Sequence, residues 1–395
     1  MKSFATLLTL ASLAVSAIAL ADNAQIPLTQ SEEQRLTSYP GIDLDLSERR
    51  IIELDDNTRR VVTELEKINL KAEGVKFFDV TDTLDLGASA HLRSSTQAYP
   101  SPNSTDLVKP VIKTLSQDGP RANLKEFTNF RTRYYRSDTG RQSQLWLLNK
   151  IQEITKDYAP KALQEQISTT EFAHSWGQNS IITRINGTSS DDRAVIISAH
   201  QDSTNMWPFL PAPGADDDGS GSVTILEAYR ALIASNFRPE RPVEFHWYSA
   251  EEGGLLGSQA VVKAYAARGA HVYAESQFDM TAWVKAGTRE EVGIITDFVD
   301  ESLTDFNKKL VEQYLDIPWA ETKCGYACSD HASWNKAGYP SVFTIESKFE
   351  NSNKNIHSTN DRYDISEEFS FEHMLEFSKL AVAFAIELGG WSKKD

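Results

Sequence analysis

Five stretches of this chain end in residues that bind cations or move protons. "VIISAHQDS" ends on His200 and Asp202, and "PGADDDGSG" carries Asp216, Asp217 and Asp218 in a row. "EFHWYSAEEGG" ends on Glu251 and Glu252, "ESQFDMT" holds Asp279, and "NKNIHSTND" holds His357. A lone histidine after a strand is usually structural. Together the endings point to one acidic, imidazole-containing cleft, because ligands of open α/β sheets bind beyond the carboxyl ends of the strands. Imidazole mixed with carboxylate suits zinc and its neighbours, whereas an all-oxygen set suits calcium or magnesium. The number of donors suggests two metals. Carboxylates and histidines shared around one bridging carboxylate give each ion three protein ligands and an open position, the mark of a catalytic site.

The aspartate run has competing readings. Asp216, Asp218, Ser220, Gly221 and Glu227 fall on ligand positions of an EF-hand loop, with Val223 at its apolar position. An EF-hand needs a helix entering the loop, and the preceding "WPFLPAPGA" cannot supply one. A solvated acidic turn is the other alternative. The remaining strand ends favour a carboxylate held between two cations, with glycines letting the backbone turn behind it.

To place these endings the chain must alternate strands and helices. "RAVIISAH", "PVEFHWYSA", "VYAESQFDM" and "YPSVFTIES" read as short strands, and "LVKPVIKTLS", "RQSQLWLLNKIQEITKDYA", "GSVTILEAYRALIAS", "LLGSQAVVKAYAARG" and "LTDFNKKLVEQYL" as helices. Continuous apolar strands between helices predict an α/β fold: a mostly parallel mixed sheet sandwiched by helices in a single catalytic domain. That domain is placed at 89–395. Residues 22–88 are charge-dense and helix-like, and "GASAHLRSSTQAYPSPNSTD" reads as a linker. A module so placed reads as a propeptide, or else as a subdomain that stays attached.

Residues 1–21, "MKSFATLLTLASLAVSAIALA", have the basic start, apolar run and small-residue end of a secretory signal. The chain is expected outside the cell with no membrane anchor. Sequons at Asn103 and Asn186 fit glycosylation there. The net charge of -16 argues against nucleic acid as a partner. The only cysteines, Cys324 and Cys328, are read as a small-loop disulfide, with half of a zinc site as the competitor.

"AHQDS", "PGADDDGSG", "AEEGGLLGS", "FDMT", "CGYACSDHASW" and "NIHSTND", in that order, resemble the secreted bimetallic zinc leucine aminopeptidases of bacteria and fungi, over roughly residues 100 to 390. The resemblance implies a fold of zinc-peptidase type, two zinc ions per chain and peptide substrates with a free N-terminus. It implies that Asp217 bridges the metals, with His200 and Asp279 on one and Glu252 and His357 on the other. Glu251 is implied as general base, Tyr326 as a donor to the developing oxyanion, and Asp202 as the residue orienting His200. A pocket for an apolar first residue is expected from Leu255, Met280, Ile345, Phe349 and Ile356. The propeptide is expected to inhibit, and the enzyme to be a monomer. Of the remaining candidates, Asp330 and His331 are weaker as ligands, His246 reads as packed in its strand, and His91 and His174 suggest nothing. "NMWPFLP" is either a plain loop or a cleft wall. A glutaminyl cyclase, a carboxypeptidase of the same fold and an inactive binding protein stay open as alternatives.

Overall fold

In the computed structural model the structure describes residues 40–54, 58–92 and 97–392, so the leader expected at 1–21 lies outside the described residues. The strands are β1 Arg49–Glu53, β2 Arg59–Thr63, β3 Phe78–Asp79, β4 Ile167–Phe172, β5 Ser180–Ile185, β6 Ala194–His200, β7 Val243–Tyr248, β8 Val272–Phe278, β9 Val292–Ile295, β10 Trp319–Thr322 and β11 Ser341–Ile345. The helices are α1 Glu64–Ala72, α2 Thr105–Ile112, α3 Asp118–Phe127, α4 Asp138–Tyr158, α5 Lys161–Gln164, α6 Gly221–Ala234, α7 Leu256–Ala267, α8 Glu301–Tyr314, α9 His331–Lys336 and α10 Phe371–Gly389.

Eight strands form one sheet in the order β10-β9-β11-β8-β6-β7-β5-β4. The central β7, β6, β8 and β11 are mutually parallel, while β9 joins β11, and β5 joins β7, in antiparallel register. Every residue of β6, β7, β8 and β11 is buried. The reason is visible in β6. Val195, Ile197 and Ala199 enter the large core with Ile225, Leu226 and Phe384 from α6 and α10, while Ala194 and Ile196 face Val261, Val262 and Trp334 from α7 and α9. With both faces covered, the strand reads as a continuous apolar run. Its carboxyl end, like those of β7 and β8, opens on the same edge of the sheet.

The N-terminal module differs from the helix-like expectation. "RRIIE" and "RRVVT" pair as an antiparallel hairpin, with β3 on its other edge. Their β-branched residues favour strands. Only α1 is helical, and Thr63 and Glu66 close its start as a capping box. Arg50, Glu64, Lys67 and Asp79 form a buried ion cluster with contacts of 3.0–3.1 Å. The module lies over the loop after β7. Asp79 N donates to the Gly254 carbonyl at 3.1 Å, Lys67 Nζ to the Gly253 carbonyl at 3.2 Å, and Gln259 Nε2 to the Asp79 carbonyl at 2.9 Å. Beyond it, Tyr99 is buried and its hydroxyl donates to the Tyr273 carbonyl at 2.8 Å, so the linker-like stretch is anchored to the domain at this residue.

Candidate active site

The ends of β6, β7 and β8, with the loops that carry Asp217 and His357, deliver donors to a common point. His200 is the last residue of β6, and its Nε2 lies 3.1 Å from Asp217 Oδ1 and 3.6 Å from Asp279 Oδ2. His357 Nε2 lies 3.0 Å from Asp217 Oδ2 and 3.1 Å from Glu252 Oε2. Two clusters result, His200–Asp217–Asp279 and Asp217–Glu252–His357, sharing Asp217, whose two oxygens face opposite ways. The structure thus brings together the five residues expected as ligands. Asp330 and His331 lie outside both clusters; His331 packs against Phe343 with ring centres 4.8 Å apart, and burial pushes its imidazole down to about 3.

The three aspartates divide the work. Asp217 faces the clusters, and its neighbours hold it there. Asp218 Oδ1 accepts from Gly221 N at 2.8 Å and Met280 N at 3.1 Å, and its Oδ2 accepts from His200 N at 3.1 Å. Asp216 Oδ1 accepts from Ser220 Oγ at 3.0 Å and Ala282 N at 3.2 Å, and its Oδ2 from Asn353 Nδ2 at 3.0 Å. The ends of β6 and β8 are thus tied to one loop by the side chains of Asp216 and Asp218, which belong to neither cluster. Gly214 enters the loop at φ +53°, and a Cβ on Gly221 would strike the Phe278 carbonyl. Met280 and His357 also hold positive φ, a strain of about 1–3 kcal/mol each for a non-glycine residue. Met280 is held by Asp218, and the His357 carbonyl accepts from Met206 N at 2.9 Å.

The site seeks positive charge. Burial opposes charging His200, but Asp279, Asp202 and Asp217 outweigh it and hold the imidazole well above its usual value. His357 behaves likewise: burial opposes, Glu252 and Asp217 prevail, and its pKa is raised to about 9. Neither ring nitrogen of His200 makes a well-directed hydrogen bond, and Glu252 Oε1 and Asp279 Oδ1 are also unpartnered although buried. Unpartnered buried donors and acceptors carry a desolvation cost. Imidazoles and carboxylates arranged in threes, with these atoms unspent, fit a pair of zinc ions. The donor separations agree with that: three ligands at zinc–nitrogen and zinc–oxygen distances around a tetrahedral centre stand about 3.3 Å apart.

Glu251 lines the cleft but belongs to neither cluster. Burial pushes its carboxyl well above the usual range, and the charges of Glu252, Asp330 and Asp279 add to this. Asp202 Oδ1 accepts from Glu251 N at 3.1 Å and its Oδ2 from Glu252 N at 3.2 Å, while the His200 Nδ1 contact is longer, at 3.4 Å. Its shorter contacts therefore go to the backbone of the glutamate pair. Cys324 and Cys328 are disulfide-bonded, which removes the half-site alternative. Tyr326, inside that loop, reaches the cleft, and burial plus the facing carboxylates push its phenol upward, so it keeps its proton at neutral pH.

The cleft encloses about 380 Å³. All five residues expected to wall a pocket line it. Met280, Ile345, Phe349 and Ile356 pack as one apolar patch with Phe343 and the disulfide, while Leu255 packs with Ala327 and with Phe78 and Val80 of the N-terminal module. Met206 also lines it, so "NMWPFLP" contributes to a cleft wall. His246 is packed in its strand between Glu244 and Tyr248 at 2.9 and 3.0 Å, as expected. His174 is less idle than its polar surroundings suggest, stacking on Trp176 at 4.3 Å. The side chains of Asn103 and Asn186 are exposed.

Several supporting residues escape sequence reasoning. Arg133, fully buried, donates to the carbonyls of Gln201, Pro213 and Gly214. Asp361 accepts from Asp216 N and Asp217 N at 2.9 and 3.1 Å. Ser329 Oγ donates to Asp279 Oδ2 at 2.6 Å. Phe343 could have been found, because it lies two residues before Ile345 on the same face of β11.

The profile of peptidase family M28 matches residues 180–381. The chain is 48% identical to leucine aminopeptidase 1 of Colletotrichum graminicola, covering 98% of this chain and 94% of that protein. It is 46% identical to leucine aminopeptidase 1 of Coccidioides posadasii, covering 98% and 99%. Among solved structures it is similar to the LapA aminopeptidase of Legionella pneumophila, with TM-score 0.75 and 30% identity, covering 87% of this chain and 99% of that one.

Proposed function

We propose that this chain, which belongs to peptidase family M28, is a secreted two-zinc aminopeptidase that removes leucine and other large apolar residues from the N-termini of peptides. One observation carries the reading. Two three-donor clusters share Asp217 beside an unligated Glu251, at the mouth of an apolar cleft. In this reading His200, Asp217 and Asp279 hold one ion and Asp217, Glu252 and His357 the other. When bound, the zinc pair acidifies the attacking water and polarises the scissile carbonyl.

The chain supplies the rest. Glu251 takes the proton of the attacking water and passes it to the leaving amine. Tyr326 donates its hydroxyl to the developing oxyanion. The carboxylates hold the free α-ammonium of the substrate, so that the first peptide bond, and no later one, lies across the site. Met280, Phe343, Ile345, Phe349 and Ile356 receive the first side chain. Residues 22–88 act as an inhibitory propeptide, and residues 1–21 as the export signal. No helix among the described residues is long and apolar enough to cross a membrane.

The test is hydrolysis of an aminoacyl panel by the processed enzyme, with and without a chelator. Each methylene in such a pocket is worth ~1–3 kcal/mol, so leucyl should exceed glycyl substrates by orders of magnitude. Acidic first residues should be worst, and N-acetyl-leucyl substrates should not be cut. Activity that survives the chelator, or glutamyl substrates equal to leucyl ones, would overturn the reading. Cyclisation of N-terminal glutamine without peptide hydrolysis would select the cyclase alternative.

A further inference from the structure

Beneath the edge of the sheet that carries the ligands runs a row of polar side chains with no part in the reaction described above. Ser198 on β6 stands opposite Gln277 on β8, and Glu275 lies two residues earlier on the same face of β8. Ser198, Glu275, Gln277 and Ser329 are all fully buried. Ser198 Oγ lies 2.5 Å from Glu275 Oε1 and 2.5 Å from Gln277 Oε1. Gln277 Nε2 donates to Ser329 Oγ at 3.1 Å, and Ser329 Oγ donates to Asp279 Oδ2 at 2.6 Å. Four contacts therefore join Glu275 to a member of the metal cluster.

Four such contacts need four protons. Ser198 and Ser329 supply one each, and the Gln277 amide supplies one toward the row. The fourth must sit on a carboxyl at one end. Asp279 cannot hold it, because a carboxylate that ligates a cation is ionised. We propose that Glu275 carries this proton as a neutral carboxylic acid and acts, through Ser198, Gln277 and Ser329, as a positioning residue for Asp279. This rests on the reading of Asp279 as a zinc ligand. The direction of every bond then follows. Glu275 donates to Ser198, Ser198 to Gln277 Oε1, Gln277 to Ser329, and Ser329 to Asp279 Oδ2, which fixes the turn of that carboxylate within its cluster. An ionised Glu275 would take the Ser198 proton for itself. The Gln277 amide would be released to turn over, and its oxygen would draw the Ser329 proton away from Asp279. The surroundings favour the neutral acid. Glu275 Oε2 is buried without a hydrogen-bond partner, a cost far greater for a charged group than for a neutral one. Burial and the charge of Asp330 push the carboxyl well above its usual range, against the hydrogen bond of Ser198 alone.

The first readout is Glu275 itself. The infrared difference spectrum between the zinc-loaded full chain and Glu275→Gln, taken at neutral pH, should contain the carbonyl stretch of one protonated carboxylic acid. The amide keeps the size of the neutral acid and an N–H to donate, so Glu275→Gln should retain most of the zinc affinity. Ser198→Ala and Gln277→Met break the row at two links. Each should weaken zinc binding about 10- to 100-fold in competition with a chelator, and lower kcat with little change in KM for leucyl substrates. A difference spectrum without the acid band, from a chain that holds its zinc, would overturn the proposal. So would a Glu275→Gln chain that fails to fold or loses its zinc, because the charge and not the proton would then be what the site needs. Ser198→Ala and Gln277→Met chains that both bind zinc within about twofold of wild type would confine the row to a structural role and overturn it as well. A wild-type chain that binds no zinc instead refutes the metal reading beneath the proposal.

Discussion

Asp202→Asn separates two things one carboxylate can do. The side chain is fully buried, and its two oxygens accept the backbone N–H groups of Glu251 and Glu252 at 3.1 and 3.2 Å. The His200 Nδ1 contact is longer, at 3.4 Å. Asparagine keeps one acceptor and turns an NH₂ toward the other donor. A hydrogen bond to a charged group is worth about 1.5–3 kcal/mol net, so one such loss should lower the melting temperature by roughly 3–12 °C in a domain of this size. Glu251 and Glu252 would shift together, since they are neighbours on one loop. The expected signature is a fall in kcat of at least tenfold, a 10- to 100-fold loss of zinc affinity, and little change in KM, because the apolar patch is untouched. Zinc affinity is read by competition with a chelator, and kcat by leucyl-substrate hydrolysis at saturating zinc. If saturating zinc restores full kcat, the carboxylate serves His200 and the metal alone. If stability, zinc affinity and kcat all stay within twofold of wild type, the anchoring argument is wrong.

Two further outcomes test other parts. Glu251→Gln should keep both zinc ions yet lose ~100- to 10,000-fold in rate, whereas Glu252→Gln should lose zinc; metal analysis alongside kcat distinguishes them, and the opposite pattern would reverse the roles. Acid should not open the unprocessed chain until well below neutrality. Burial works against the charges of Asp79 and Glu53, but Lys67 and Arg50 around Asp79, and Lys336 and Arg59 around Glu53, hold both carboxyls below their usual values. Groups with lowered folded-state pKa values stabilise above the unfolded value of roughly 4 and lose that contribution as pH falls through the folded value. Hydrogen exchange in β1 and α1 should therefore stay slow at pH 5, and loosening with a midpoint near pH 6 would contradict the ion cluster as the clasp.

The sites that chemistry needs were easier to read than the elements that support them. His200, Glu252 and Asp279 follow strands buried on both faces, so strand and ligand are announced by the same few residues. The outer strands give no such signal. "ISTTEF" in β4 has no buried residue, and "WAET" in β10 is short and mixed, because each packs on an open edge. Arg133 and Asp361 were invisible for another reason. Both work on backbone carbonyls or amides, and a backbone partner leaves no mark in the sequence. The module was misread as helical because charge density hid the alternation of "RRIIE" and "RRVVT". Its grip on Glu252 through Lys71 needed the fold.

The charge balance explains why these features occur together. Asp216, Asp217, Asp218, Glu252, Asp279 and Asp361 are buried around one point, and Glu251 stands at its edge. Arg133, His200, His357 and Lys71 face them with positive charge or the capacity for it. Such a group folds at acceptable cost only if hydrogen bonds spend the supporting carboxylates and cations meet the rest. Asp216, Asp218 and Asp361 are spent on amides and hydroxyls, which leaves Asp217, Glu252 and Asp279 with unspent demand. That demand can be met by metal, by the α-ammonium of a substrate, or by a lysine carried on the same chain. The Lys71 ammonium, 2.7 Å from Glu252 Oε2, meets part of that demand from within the chain itself.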